Sequence, residues 1–101
     1  MRASTKQIAI VLALSAIANI AHAGDAAAGK TAATSCFSCH GAAGAGTASA
    51  PRLAGLANDQ LVTKLQGYRS GTLKNPMMGM VAKKLSDEQI DNISAYFTAL
   101  K

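Results

Sequence analysis

Aromatic residues are scarce in this chain, which has no tryptophan, two tyrosines and two phenylalanines among 101 residues. A single small domain with so few rings sits near the lower limit for burying an adequate core, so something besides side chains is expected to fill its middle. No stretch alternates β-branched and polar residues, which argues against a sheet and for an all-α fold. Histidine is nearly absent too. Beyond residue 23 only His40 remains, so sites built from several imidazoles are excluded, and the two cysteines, Cys36 and Cys39, lie beside it in the stretch SCFSCHG.

The first two dozen residues read as a separate segment. Arg2 and Lys6 give a positive start, an apolar run follows from Ile8 to Ala21, and Ala21-His22-Ala23 forms a small-x-small exit before Gly24. This is the pattern of a secretory signal peptide over residues 1–23, cleaved after Ala23. An uncleaved anchor is the alternative, but a bilayer span takes about 20 apolar residues. The expected product is one domain over residues 24–101, exported to the periplasm, with no stable membrane insertion after cleavage. It keeps eight basic residues against five acids, a net charge of +3. The lysines and arginines are scattered, so a solvated surface accounts for them better than nucleic-acid binding.

Cys36 and Cys39 admit four readings. A disulfide across two residues closes a very small ring and removes little entropy from the unfolded chain. A redox-active dithiol belongs near a βαβ unit, and no strand pattern is present. Zinc takes four Cys, His or carboxylate ligands, and the sequence offers three in one cluster. Only C-x-x-C-H as a covalent haem c attachment site uses all three residues: the two thiols add to the haem vinyls, and His40 coordinates the iron. The haem would also supply the large apolar body that the core lacks.

Helices are expected on both sides of this motif. Asp25 is a candidate N-cap for an Ala-rich helix running into CFSCH, with Gly29 marking close approach of another helix. Residues 41–57 are small, Gly-rich and aperiodic, as suits a loop around a flat ligand. Asn58 or Asp59 caps the next helix, with Leu61, Leu65 and Tyr68 on one face and Gly71 past its end. Ser86 and Gln89 form a capping-box pattern for the last helix, whose apolar stripe is Ile90, Ile93, Phe97 and Leu100.

Between the last two helices lies TLKNPMMGMVAKK. Asn75-Pro76 reads as a helix breaker, and Met77, Met78 and Met80 follow it. If a haem is bound, one of these thioethers is the expected second axial ligand opposite His40, since no further histidine remains.

Together GDAAAGKTAATSCFSCHG, PRLAGL, LVTKLQGYRSG and NPMMGMVAKKLSDEQIDNISAYF resemble a small bacterial class I cytochrome c of the cytochrome c553 and c4 type. The resemblance implies an all-α class I cytochrome c fold, three to four helices wrapped around one haem c attached through Cys36 and Cys39. It implies His40 as one iron ligand. The family's spacing back from Leu85 places the other at Met78, with Met77 and Met80 as alternatives. It also implies that the first and last helices cross near Gly29 and an aromatic, Tyr96 or Phe97. A carbonyl from residues 47–51 is expected to orient the His40 ring. The usual aromatic of the first helix is missing, with Ala32 and Ala33 in its place, so a close-packed and less stable crossing is expected.

The function implied is not enzymatic. It is single-electron transfer in the periplasm, between a quinol-oxidising complex and a terminal oxidase or periplasmic reductase. Two rivals stand beside it: a haem enzyme or gas or redox sensor with a displaceable Met ligand, and a fixed haem subunit of a larger oxidoreductase. Lys74, Lys83 and Lys84 flank the methionines, while Asp87, Glu88 and Asp91 open the last helix, a division suited to steering an acidic partner.

Overall fold

The computed structural model describes residues 24 to 101. The signal peptide expected over residues 1–23 lies outside the described residues. Among the described residues there is no strand. The order is α1 (Ala26–Ala32), a 3-10 turn (Ala33–Cys36), α2 (Phe37–His40), a second 3-10 turn (Ala42–Gly44), α3 (Asn58–Ser70), α4 (Pro76–Ala82) and α5 (Asp87–Thr98). Because α1, the first turn and α2 follow without a break, they act as one helical arm. With α3, α4 and α5 this gives the all-α arrangement expected.

The arm starts where Asp25 caps it. Its Oδ1 accepts the amides of Ala27 and Ala28 at 2.9 and 3.2 Å, while its own amide donates to Asn92 Oδ1 of α5 at 2.8 Å. One residue thereby ends a helix and fixes its partner. Gly29 marks the crossing: a Cβ there would run into the backbone carbonyl of Asn92. The expected close approach is present, and only glycine permits it.

The aromatic thought missing from this crossing arrives from elsewhere. Phe37, in the spacer of the CFSCH motif, lies edge-on to both Tyr96 and Phe97, with ring centroids 6.1 Å apart in each case. Edge-to-face pairs of this kind add about 0.5–1.5 kcal/mol to area burial. Small side chains at Ala32 and Ala33 therefore bring the arm close, and the ring one turn later fills the space. The core around them is Ala33, Leu61, Leu65, Ile90, Ile93 and Phe97, a small set for 78 residues.

Two expectations about helix starts are corrected. The N-cap of α3 is Ala57, without a side-chain hydrogen bond, and Asn58 and Asp59 lie inside the first turn, where Asp59 complements the helix dipole. Asn75-Pro76, expected to break a helix, instead starts one, and the methionines lie on α4. Pro76 occupies the beginning of α4, where a missing amide costs nothing, and Asn75 caps it by accepting the Met78 amide at 3.0 Å. The other ends agree with expectation. Gly71 closes α3 in the left-handed region (φ 88°), and Ser86 and Gln89 make a reciprocal capping box at 3.1 and 2.9 Å. Arg69 near the end of α3 pairs with Asp87 at the start of α5 and donates to the Leu85 carbonyl at 3.1 Å.

Candidate haem-binding site

His40 is the last residue of α2 and is buried, whereas the neighbouring Cys39 is exposed and Cys36 half-buried. Helical spacing explains the difference: positions 36, 39 and 40 lie three and one residues apart, so they share one side of a short helix at different depths. Gly41, at φ 88°, then turns the chain sharply away. The loop that follows returns to the motif. Gly46 donates to the His40 carbonyl at 2.6 Å, and Thr47 Oγ1 donates to the Cys39 carbonyl at 2.7 Å.

That fold-back places the Pro51 carbonyl 2.6 Å from His40 Nδ1. A carbonyl can only accept, so Nδ1 carries the proton and Nε2 is left with its lone pair free. This is the tautomer a metal-ligating imidazole needs, oriented by a backbone oxygen from the expected stretch. The loop is closed on itself where Leu53 donates to Gly44 O, and tied to α5 where Gly55 donates to Phe97 O, both at 2.8 Å.

A cleft of about 600 Å³ opens beside these groups. Cys36, Cys39 and His40 line it together with Pro51, Leu65, Met78, Ile93 and Phe97, so the motif at the end of the arm meets the methionine helix across one space. Its size lies within the range of about 300–1,000 Å³ usual for small-molecule and cofactor pockets. Of the three methionines, Met78 lines the cleft and packs against the core, and Met77 lines it while remaining 64% exposed. Met80 is equally exposed and faces a separate hollow. Sequence reasoning did not single out Tyr68, Asn75 or Arg52 for this site, although all three line the cleft. In the sequence Tyr68 shows only as a member of the Leu61–Leu65 helix face, and Asn75 only as part of a helix breaker. Arg52 carried no pattern of its own.

The cleft suits a haem on chemical grounds. Its walls are mainly apolar, both thiols of the attachment motif and one imidazole open into it, and a thioether does so from another helix. The other readings fare worse. Cys36 and Cys39 are not joined, and among the described residues no group of three His, Cys, Asp or Glu side chains could hold a metal ion. Burial pushes the Cys36 thiol up, outweighing a hydrogen bond with Ser35, whereas a reactive dithiol depends on a lowered thiol.

Residues 26–101 match the family model for cytochrome c. The chain belongs to the cytochrome c family. The cofactor of this cytochrome c is therefore one covalently bound haem c, and the C-x-x-C-H spacing of Cys36, Cys39 and His40 agrees with that. Among curated relatives, it is 44% identical over 67 residues to cytochrome c-554(547) of Halothiobacillus neapolitanus, covering 55% of this chain and 74% of that one. It is 42% identical over 53 residues to a thiosulfate dehydrogenase electron acceptor of Stutzerimonas stutzeri, covering 52% of this chain and 24% of the relative. Among solved structures, cytochrome c4 of Acidithiobacillus ferrooxidans superposes with a TM-score of 0.73 at 32% identity, over 82% of this cytochrome and 53% of that chain. The thiosulfate dehydrogenase of Marichromatium purpuratum gives 0.74 at 30% identity, over 81% and 21%. Except for the Halothiobacillus protein, the cytochrome thus spans about half or less of these relatives.

Proposed function

We propose that this cytochrome is a periplasmic single-electron carrier. Cys36 and Cys39 would hold the haem through thioethers, and His40 and Met78 would ligate its iron. When bound, the haem supplies one-electron chemistry between ferrous and ferric iron. The protein's residues do the rest: Pro51 fixes the His40 ring, Asn75 fixes the turn of α4 that carries Met78, and Leu65, Ile93 and Phe97 give the cleft apolar walls. With His40 and Met78 both ligating the iron, no open position would be left for a substrate, which favours a carrier over an enzyme or sensor. The observation carrying the reading is the meeting of the C-x-x-C-H motif and Met78 on a single cleft. Exchange with redox proteins, a quinol-oxidising complex on one side and a terminal oxidase or periplasmic reductase on the other, is the role proposed.

Spectra of the oxidised and reduced holoprotein with a carbon monoxide titration test this. A carrier shows a thioether-to-iron charge-transfer band when oxidised and resists carbon monoxide when reduced. Rapid carbon monoxide binding to the unmodified protein would favour the enzyme or sensor instead. A second reading, a haem domain working within a larger oxidoreductase, is favoured by the likeness to a thiosulfate dehydrogenase structure of which this chain matches 21%. Co-purification with a catalytic subunit distinguishes it.

A further inference from the structure

Pro51 supplies the carbonyl that orients the His40 ring, yet a proline has no amide of its own to be held by. The place of that oxygen is therefore set by the residues on either side. Downstream, Arg52 donates from Nε to Ala54 O at 3.1 Å and from Nη2 to Lys101 O at 2.9 Å. Upstream, one side chain is central. Thr47 Oγ1 donates to Cys39 O at 2.7 Å and accepts the amides of Ser49 and Ala50, each at 3.2 Å, while the Thr47 amide donates to Ala50 O at 2.8 Å. A hydroxyl has one proton and two lone pairs, so this one is fully engaged. Its partners are placed to matter: Cys39 is the residue before His40, and Ala50 is the residue before Pro51. A single hydroxyl thus joins the backbone that carries the imidazole to the backbone that carries its acceptor. The Thr47 methyl contributes as well, because Cγ2 lies only 3.3 Å from where a Cβ on Gly41 would be, against the turn that follows His40. Branching at Cβ restricts the side chain's rotation and keeps the hydroxyl aimed.

We propose that Thr47 is a positioning residue for the axial histidine, whose hydroxyl sets the bond between His40 Nδ1–H and the Pro51 carbonyl and through it the donor strength of Nε2. The proposal rests on the reading of the cleft as the haem site, and goes beyond it by giving a tuning role to a side chain that does not line the cleft. An Nδ1–H held on a carbonyl makes the ring a stronger base at Nε2, and a stronger donor favours ferric over ferrous iron. Loosening that bond should therefore raise the reduction potential. Cys39 and Thr47 are both exposed, so water can satisfy the groups that a lost hydroxyl releases. What water cannot restore is the aim of the Pro51 oxygen.

Residues 24–101 contain one histidine, so a holoprotein labelled with 15N-histidine reports on the His40 ring alone. In the reduced, diamagnetic state the Nδ1 proton should be visible and protected from solvent. Thr47→Val keeps the shape of the side chain and removes the hydroxyl. It should speed exchange of that proton about ten-fold or more, and raise the ratio of reduced to oxidised protein at a fixed ambient potential about two- to three-fold. Thr47→Ser returns the hydroxyl and should recover most of both changes. Thr47→Ala, which cannot crowd the loop, replaces the valine variant if that one does not fold, with the same expectation. Thr34→Val is the control: it deletes a hydroxyl bond of 2.8 Å to Thr31 O in the arm, away from the loop, and should move neither reading. The thioether-to-iron band should persist in every variant. Exchange and ratio unchanged without the hydroxyl, a serine variant as altered as the valine one, or equal effects from Thr34→Val would each overturn the proposal and leave the haem assignment intact. A protein that binds no haem would instead remove the underlying reading, and the optical spectrum shows this before any variant is made.

Discussion

Asn75 Oδ1 accepts the amide of Met78 at 3.0 Å, so the residue that starts α4 also holds the turn from which Met78 projects. A seven-residue helix is not stable by itself, and loss of an Asn cap costs about 0.5–2 kcal/mol. Asn75→Ala should therefore weaken the Met side of the site more than the whole fold. The charge-transfer band should disappear on heating well before the helical circular dichroism, and Asn75→Asp should restore most of the difference. Coincident loss of both signals in the Ala variant would mean that the cap is purely structural.

Met78 itself is separable from its neighbours. Met78→Ala should abolish the band, admit carbon monoxide and lower the reduction potential, whereas Met77→Ala and Met80→Ala should keep all three properties. Loss of the band in the Met77 variant alone would move the ligand one position, to the other methionine on the cleft.

Covalent attachment predicts that haem stays with the polypeptide through denaturing electrophoresis and acid-acetone extraction. With the signal peptide removed, the mass should equal residues 24 to 101 plus one haem. Replacing either Cys36 or Cys39 by Ser leaves one thioether, and replacing both should let the haem be extracted.

Gly29→Val would drive a branched side chain into the Asn92 carbonyl, where backbone has to move. A loss of at least 2–3 kcal/mol is expected, comparable to or above the usual cost of overpacking. It would be read from denaturant midpoints of the holoprotein. Gly71→Ala, strained only by its positive φ and with open space around it, should cost less.

The attachment motif, the last helix and the Gly29 crossing were legible because each rests on local chemistry. A C-x-x-C-H spacing, a Ser-x-x-Gln box and an intrahelical glycine carry their meaning wherever they occur. What sequence could not supply depended on distance or on a residue having two uses. Asn75-Pro76 is equally a helix breaker and a helix start, and only the hydrogen bond to Met78 decides between them. Phe37 sits in a spacer whose side chain no motif constrains, so its place against Tyr96 and Phe97 comes from the fold of the arm onto α5. The Pro51 carbonyl was narrowed to five residues and no further, since a backbone oxygen has no signature.

The two sides of the haem cleft are held unequally. His40 ends a helical arm pinned by Asp25, Gly29 and Phe37, whereas Met78 rides on a short helix with one side-chain cap. Opening of α4 is then a local event that costs less than global unfolding. With two thioethers retaining the cofactor throughout, a Met78 ligand of the kind proposed above would be released and recaptured without exchange of the haem. Repeated excursions to mildly denaturing temperature should be reversible, and recovery should be unimolecular and independent of free haem concentration.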